Sequence, residues 1–279
     1  MTILILYSLV CLYFYQYQNR MLFHPDMVPK THPDILAPYV FDWQHDGLKH
    51  HGWYIHGALK KPLLVYLGGN SEIISKSIVK YYERFHDNYD ILALEYRGFG
   101  GSEGMPSEKH LVEDTIALLT QWMTQYGYKA EDIVLIGRSL GSGVAVQVAS
   151  RIQPKGIILV TPFDSVNALA SAQYPYIPIA LLNNNGFESD KYASQIDIPG
   201  LLIIAGNDSV TPPAHGLRLA HLMGRKPWIA TITGATHSNI YNHLETWYDI
   251  KLFLKALFDK KSGMKYLNQA HYSINTKSD

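Results

Sequence analysis

The stretch "DIVLIGRSLGSGVAVQVAS", residues 132–150, runs from an apolar β-branched segment into a helical pattern, with three glycines and two serines crowded at the turn. Ile133 to Ile136 reads as a short buried strand. Val144, Val146 and Val148 continue with Ala145 and Ala149 at spacings suited to a helix packed on a sheet. Between them, Gly137-Arg138-Ser139-Leu140-Gly141 fits Gly-x-Ser-x-Gly, a strained strand-to-helix turn that pushes one serine hydroxyl into the open above a sheet. A tight turn alone would also account for glycine, so context has to decide. The chain contains its own comparison, because "GGSEG" at residues 100–104 matches the same pattern around Ser102. That second match follows the run "ILALEY" only after several loop residues and is followed by Met105-Pro106, so no strand enters it and no helix leaves it. Ser139 is therefore the candidate nucleophile, and Ser102 is not.

A serine hydroxyl near its free pKa is a poor nucleophile, so it needs a general base, and the base needs an orienting carboxylate. On a strand-turn-helix topology of this kind the acid and then the histidine follow the serine, each at the carboxyl end of a later strand. "LLIIAGNDSVTPP" puts Asp208 just after one strand, and "WIATITGATHSNIY" puts His237 after the last. An Asp before Thr-Pro-Pro also suits a helix cap, and a lone loop histidine suits solvent. Both residues in the expected order at the expected strand ends favour a Ser139, Asp208, His237 triad. Asp164 in "TPFDS" follows an earlier strand and is the alternative acid. Backbone donors for a developing oxyanion are expected from Leu140, next after the serine, and from Asn70 in Gly68-Gly69-Asn70.

Working outward, Tyr39 to Trp43 and His51 to His56 read as an antiparallel hairpin around Asp46-Gly47. Apolar strands at 62–67, 90–95, 132–137, 156–161, 200–205 and 227–232 alternate with helical segments near 72–87, 107–126, 141–152, 212–223 and 238–258. This pattern predicts a mostly parallel twisted sheet with helices on both faces. The connection between the strands ending at 161 and starting at 200 is too long for a crossover helix and reads as a lid over residues 163–198. Its Tyr174, Tyr176, Ile177, Leu181 and Leu182 form an apolar, aromatic group expected to supply an acyl pocket. The tail from 261 to 279 is polar and expected to fray.

With 279 residues, 47% of them hydrophobic, the chain can bury one large core, over 21–260. Its formal net charge of zero offers no basic footprint for nucleic acid. The single cysteine, Cys11, excludes an intrachain disulfide framework. Histidines 45, 50, 51 and 56 lack zinc-site spacing and a suitably placed acid, so they read as a solvated hairpin rather than a metal centre. A dinucleotide cofactor is not expected either, since Gly98-Phe99-Gly100 is followed by Glu103 where the fingerprint needs glycine. Residues 2–19 carry no charge and precede Arg20. As a helix they would reach about 27 Å, close to the roughly 30 Å of a hydrocarbon core. Tyr13, Phe14, Tyr15 and Tyr17 resemble an interfacial belt, so 1–20 is expected to be an N-terminal membrane anchor of undetermined orientation.

Together "LGGN", "EYRGFGGSEGMPSE", "GRSLGSGVA", "TPFDS", "AGNDSVTPP" and "GATHSNI" resemble the α/β-hydrolase fold serine hydrolases. The similarity runs from about Leu22 to Phe258 and is greatest to the depalmitoylase-like subgroup with one N-terminal membrane segment. It implies the fold of that family, the serine hydrolase roles for Ser139, Asp208 and His237, and structural roles for the Arg97-Gly98 turn and Ser102. The chain has Gly68-Gly69-Asn70 where the family usually has His-Gly-Asn, and Ala205 where it has glycine three residues before the acid. The expected activity is cleavage of carboxylic esters or thioesters of a small or lipid-like acyl substrate through an acyl-enzyme, with no cofactor. A peptidase of the same fold and a non-catalytic membrane-bound scaffold are the alternatives.

Overall fold

A computed structural model describes residues 1–259; the expected tail at 261–279 lies outside the described residues. The chain opens with helix α1 (Thr2–Leu22), then strands β1 (Val40–His45), β2 (Leu48–Ile55) and β3 (Leu63–Leu67). Next come α2 (Ile74–Phe85), β4 (Asp90–Leu94), α3 (Glu108–Tyr126), β5 (Ile133–Arg138), α4 (Leu140–Ile152) and β6 (Gly156–Val160). The lid contributes α5 (Val166–Gln173), α6 (Ile179–Leu182) and α7 (Ser189–Ala193). β7 (Gly200–Ala205), α8 (Pro213–Leu222), β8 (Trp228–Ile232) and α9 (Leu244–Phe258) complete the domain.

The eight strands form one sheet in the order β1-β2-β4-β3-β5-β6-β7-β8. β2 runs antiparallel to β1 and β4, and every later pairing is parallel. Period-2 alternation explains why these runs are apolar throughout. Leu63, Val65 and Leu67 of β3 pack into one core with Leu111 of α3 and Val144 of α4, whereas Leu64 and Tyr66 enter the other with Ile78 and Tyr81 of α2. A strand covered on both faces has no solvated side to make polar.

Strand order reverses between β3 and β5, which pair from Leu63↔Ile133 to Leu67↔Gly137. The crossovers to either side leave on opposite faces, so a crevice opens at the carboxyl ends of these two strands. Ser139 lies at the end of β5 and Gly68-Gly69-Asn70 at the end of β3.

Two sequence expectations change here. The histidine hairpin is packed rather than solvated: His50 is fully buried against Trp43 and His45, and His51 Nδ1 lies 3.0 Å from Asp42 Oδ1. His45, Asp46 and Asp114 do converge, but Arg97 already bridges Asp46 and Asp114 at 2.7 and 2.6 Å, placing a fixed positive charge among them. The second change concerns α1. It forms as expected, yet no helix among the described residues is long and apolar enough to cross a membrane. Its polar residues, such as Gln18 and Asn19, face the lid and bond to it.

Candidate active site

Ser139 sits between β5 and α4 with φ 49° and ψ −120°, a backbone conformation that is costly for any side chain but glycine. The surroundings enforce it. A Cβ at Gly137 would collide with the Gly141 carbonyl, and one at Gly141 with the Leu67 carbonyl, so both flanking glycines are required by close backbone approach. The strained turn lifts Oγ to 2.9 Å from His237 Nε2.

His237 Nδ1 lies 2.8 Å from Asp208 Oδ2. An ionised carboxylate only accepts, so Nδ1 carries the proton and Nε2 is left to accept from Ser139. Asp208 is held by its own loop: Oδ1 accepts the N–H groups of Val210 and Thr211, at 2.9 and 2.8 Å, and Oδ2 is also 3.0 Å from the Thr211 hydroxyl. Burial alone would raise the Asp208 carboxyl. The hydrogen bonds from His237 and Thr211 outweigh it and hold the group below the usual carboxylate range. The turn around Ala205-Gly206 is tied to the histidine loop, with Gly206 N–H donating to Ile232 O at 3.0 Å and Asn207 N–H to Ala235 O at 2.8 Å.

The alternative acid is occupied elsewhere. Asp164 lies 2.6 Å from His215 Nδ1 and 2.7 Å from Arg218 Nε, and these partners hold its carboxyl low against the opposing effect of burial. Ser102 is buried and structural in its contacts: its hydroxyl donates to Glu95 O at 2.7 Å and accepts from His51 N–H at 2.9 Å.

The loop after β3 passes directly over the serine, where a Cβ on Gly69 would stand 3.3 Å from Ser139 Cβ. Gly69 N–H is turned away to Glu72 Oε2 at 2.6 Å, which leaves Asn70 as the candidate donor of this loop. Leu140 starts α4, so its N–H stands at the positive end of that helix. The Asn70 side chain faces α1, donating through Nδ2 to Leu22 O at 2.5 Å and accepting His24 N–H at 3.2 Å.

Beneath these loops lies a buried network that sequence reasoning missed. Arg138, inside the Gly-x-Ser-x-Gly motif, pairs with Glu72 at 3.2 Å and donates from Nη2 to His237 O at 3.1 Å. Glu72 also accepts from Tyr66 at 2.7 Å and from Ser77. Burial would raise the Glu72 carboxyl, but Arg138, the Gly69 N–H and the two hydroxyls keep it below its ordinary value. One ion pair thus joins the candidate oxyanion loop, the serine turn and the histidine loop. A lone Glu three residues past a Gly-Gly turn carries no pattern that announces this.

A cavity of about 780 Å³ opens beside Ser139, Leu140 and Asn70. Of the expected pocket residues, Tyr174 and Leu182 line it. Tyr176, Ile177 and Leu181 do not, and Tyr176 and Leu181 are 86% and 85% exposed, on the outer side of the lid. A short helical turn can turn only part of its apolar residues inward. The opposite wall was not anticipated, for Phe14, Gln18, Met21 and Leu22 of α1 complete the lining. Their i, i+4, i+7, i+8 spacing is the one sequence signal that could have found them.

Sheet order and element succession define a class: the chain has the α/β-hydrolase fold. The family model described as "Serine aminopeptidase, S33" matches residues 63–183. An uncharacterized protein of Mycobacterium tuberculosis is 26% identical over 237 residues, 82% of this chain and 84% of that protein. Lysophosphatidylserine lipase ABHD12 of Danio rerio is 29% identical over 201 residues, 64% of this chain and 52% of that protein, so the chain spans about half that relative's length. Among solved structures, the esterase Pf2001 of Pyrococcus furiosus superposes with a TM-score of 0.64 at 19% identity, covering 82% of this chain and 96% of the esterase.

Proposed function

We propose that this protein is a serine hydrolase that cleaves carboxylic esters or thioesters of lipid-like acyl chains through an acyl-enzyme on Ser139. The observation that carries this reading is the unbroken hydrogen-bonded chain from Ser139 through His237 to Asp208 at the mouth of a largely apolar cavity. Ser139 Oγ attacks the acyl carbonyl as its proton passes to His237 Nε2. Asp208 keeps the imidazole in the required tautomer and stabilises the imidazolium. The N–H groups of Leu140 and Asn70 take the oxyanion, and the proton on Nε2 goes to the departing alkoxide or thiolate. Water, deprotonated by His237, then releases the acid.

The cavity chemistry favours esters over amino-terminal peptides. An aminopeptidase must hold a substrate ammonium, and no Asp or Glu lines this cavity among the described residues. The esterase and lipase relatives fit the same reading, and the peptidase family model is the rival it must displace. We further propose that the protein works at a membrane surface, which α1 enters through exposed apolar residues such as Ile3, Leu4, Leu6 and Leu9.

Labelling by a fluorophosphonate probe, together with a panel of p-nitrophenyl esters and aminoacyl anilides, tests the reading. Labelling at Ser139 with ester turnover is the expected result. Turnover of the anilides alone would move the assignment to the peptidase, and absence of both would leave a non-catalytic scaffold.

A further inference from the structure

The lid was the expected source of the acyl pocket and does carry most of its apolar lining, yet Phe14, Met21 and Leu22 of another element close it. Phe14, Gln18, Met21 and Leu22 project from one stripe of α1 and face Leu169, Tyr174 and Leu182 across the cavity. The two walls are joined rather than merely adjacent. The Phe14 and Tyr174 rings meet edge to face with centroids 5.3 Å apart. Gln18 donates to Leu182 O at 3.1 Å and accepts Asn184 N–H at 2.6 Å, and Asn19 accepts from Asn185 at 2.7 Å. At its carboxyl end α1 is seated on the candidate oxyanion loop, through the bonds of Asn70 to Leu22 O and His24 N–H.

We propose that α1 is a wall of the acyl-binding pocket, with Phe14, Met21 and Leu22 as specificity-determining residues, and that the pocket takes a long unbranched acyl chain. The inference rests on the serine hydrolase reading above and deepens it by naming the substrate class. Length follows from the shape of the helix. From Phe14 back to Ile3 the helix rises about 16 Å, and over that distance Val10, Tyr7 and Ile3 continue the face that carries Phe14 and are exposed. An acyl chain that outgrows the cavity can therefore run on along these side chains of the same helix face. No Asp or Glu lines the cavity among the described residues to pair with a cationic headgroup, and its lining is mainly apolar, so the selective part of the substrate is its chain.

The test uses the full chain and p-nitrophenyl butanoate, octanoate and palmitate, with fluorophosphonate labelling of Ser139 as the check that each variant keeps an assembled site. Met21→Trp should fill the α1 side and lower the palmitate-to-butanoate ratio of kcat/KM at least tenfold, since each methylene denied burial is worth about fourfold. Phe14→Ala and Leu22→Ala, which shrink the wall, should shift the same ratio in labelled protein. Leu12→Trp, about 200° round the helix from Phe14, is the control and should leave the ratio where it is. An unchanged ratio in labelled Met21→Trp and Phe14→Ala, or an equal change in Leu12→Trp, overturns the inference while leaving the hydrolase reading intact. A parent chain that neither labels nor cleaves any ester overturns that reading, and this inference with it.

Discussion

Arg138 donates from Nη2 to the backbone carbonyl of His237 at 3.1 Å, so the residue next to the candidate nucleophile also holds the loop of the candidate base. Glu72 extends the link to Gly69, over the serine. Positions that must agree to a fraction of an ångström are thereby referred to one buried ion pair instead of three independent loops.

Glu72→Gln removes the charge but not the shape, leaving Arg138 buried without its counter-ion. Breaking such a pair costs about 3–5 kcal/mol, read as a lower denaturation midpoint. Misplacing the oxyanion loop and the base should also lower kcat by roughly 10²-fold with little change in KM. If kcat stays at the parent value in folded Glu72→Gln, the pair serves stability alone.

Asp208→Asn is expected to lower turnover on the order of 10⁴-fold, since an amide favours the wrong tautomer of the histidine. Asp164→Asn should have a modest effect, because Asp164 is engaged by His215 and Arg218 instead of His237. Steady-state kinetics on both variants settles the matter, and the reverse ranking would transfer the orienting role to Asp164.

Ser139→Ala should abolish fluorophosphonate labelling and ester cleavage in a protein that folds normally. Ser102→Ala should label like the parent but melt earlier, because it leaves the Glu95 carbonyl and the His51 N–H without their buried partner, a loss of about 1–3 kcal/mol. Undiminished labelling of the Ser139 variant would sink the nucleophile assignment.

Glu95 supplies a pH-dependent prediction. Burial pushes its carboxyl up to about 7, against the opposing hydrogen bond from Gly101 N–H. The folded state therefore holds a proton that the unfolded chain has already released, and stability falls as pH rises from the ordinary carboxylate range through about 7. Glu95→Gln should escape this loss, gaining on the order of 3 kcal/mol over the parent between pH 5 and pH 8. Thermal melts at the two pH values measure it, and a difference that does not grow with pH would contradict the burial argument.

What the sequence determined by itself is what short-range pattern encodes. Continuous apolar runs separated by helical periods specify a sheet covered on both faces, and the strand-to-helix context separates Ser139 from Ser102. Strand-end position and order make Asp208 and His237 the candidate partners that the fold brings to Ser139, because a loop residue at a strand's carboxyl edge is placed by the strand itself. Tertiary structure decided everything that depends on pairs far apart in the chain. Gln18 meets the lid at Asn184, 166 residues away, and that contact makes α1 a cavity wall where composition suggested a membrane span. The burial of Glu72 against Arg138, and the outward placement of Tyr176 and Leu181, arise the same way. No local period records which partner a side chain meets once the sheet has folded, because that choice is made by packing and by the need to satisfy every buried polar group.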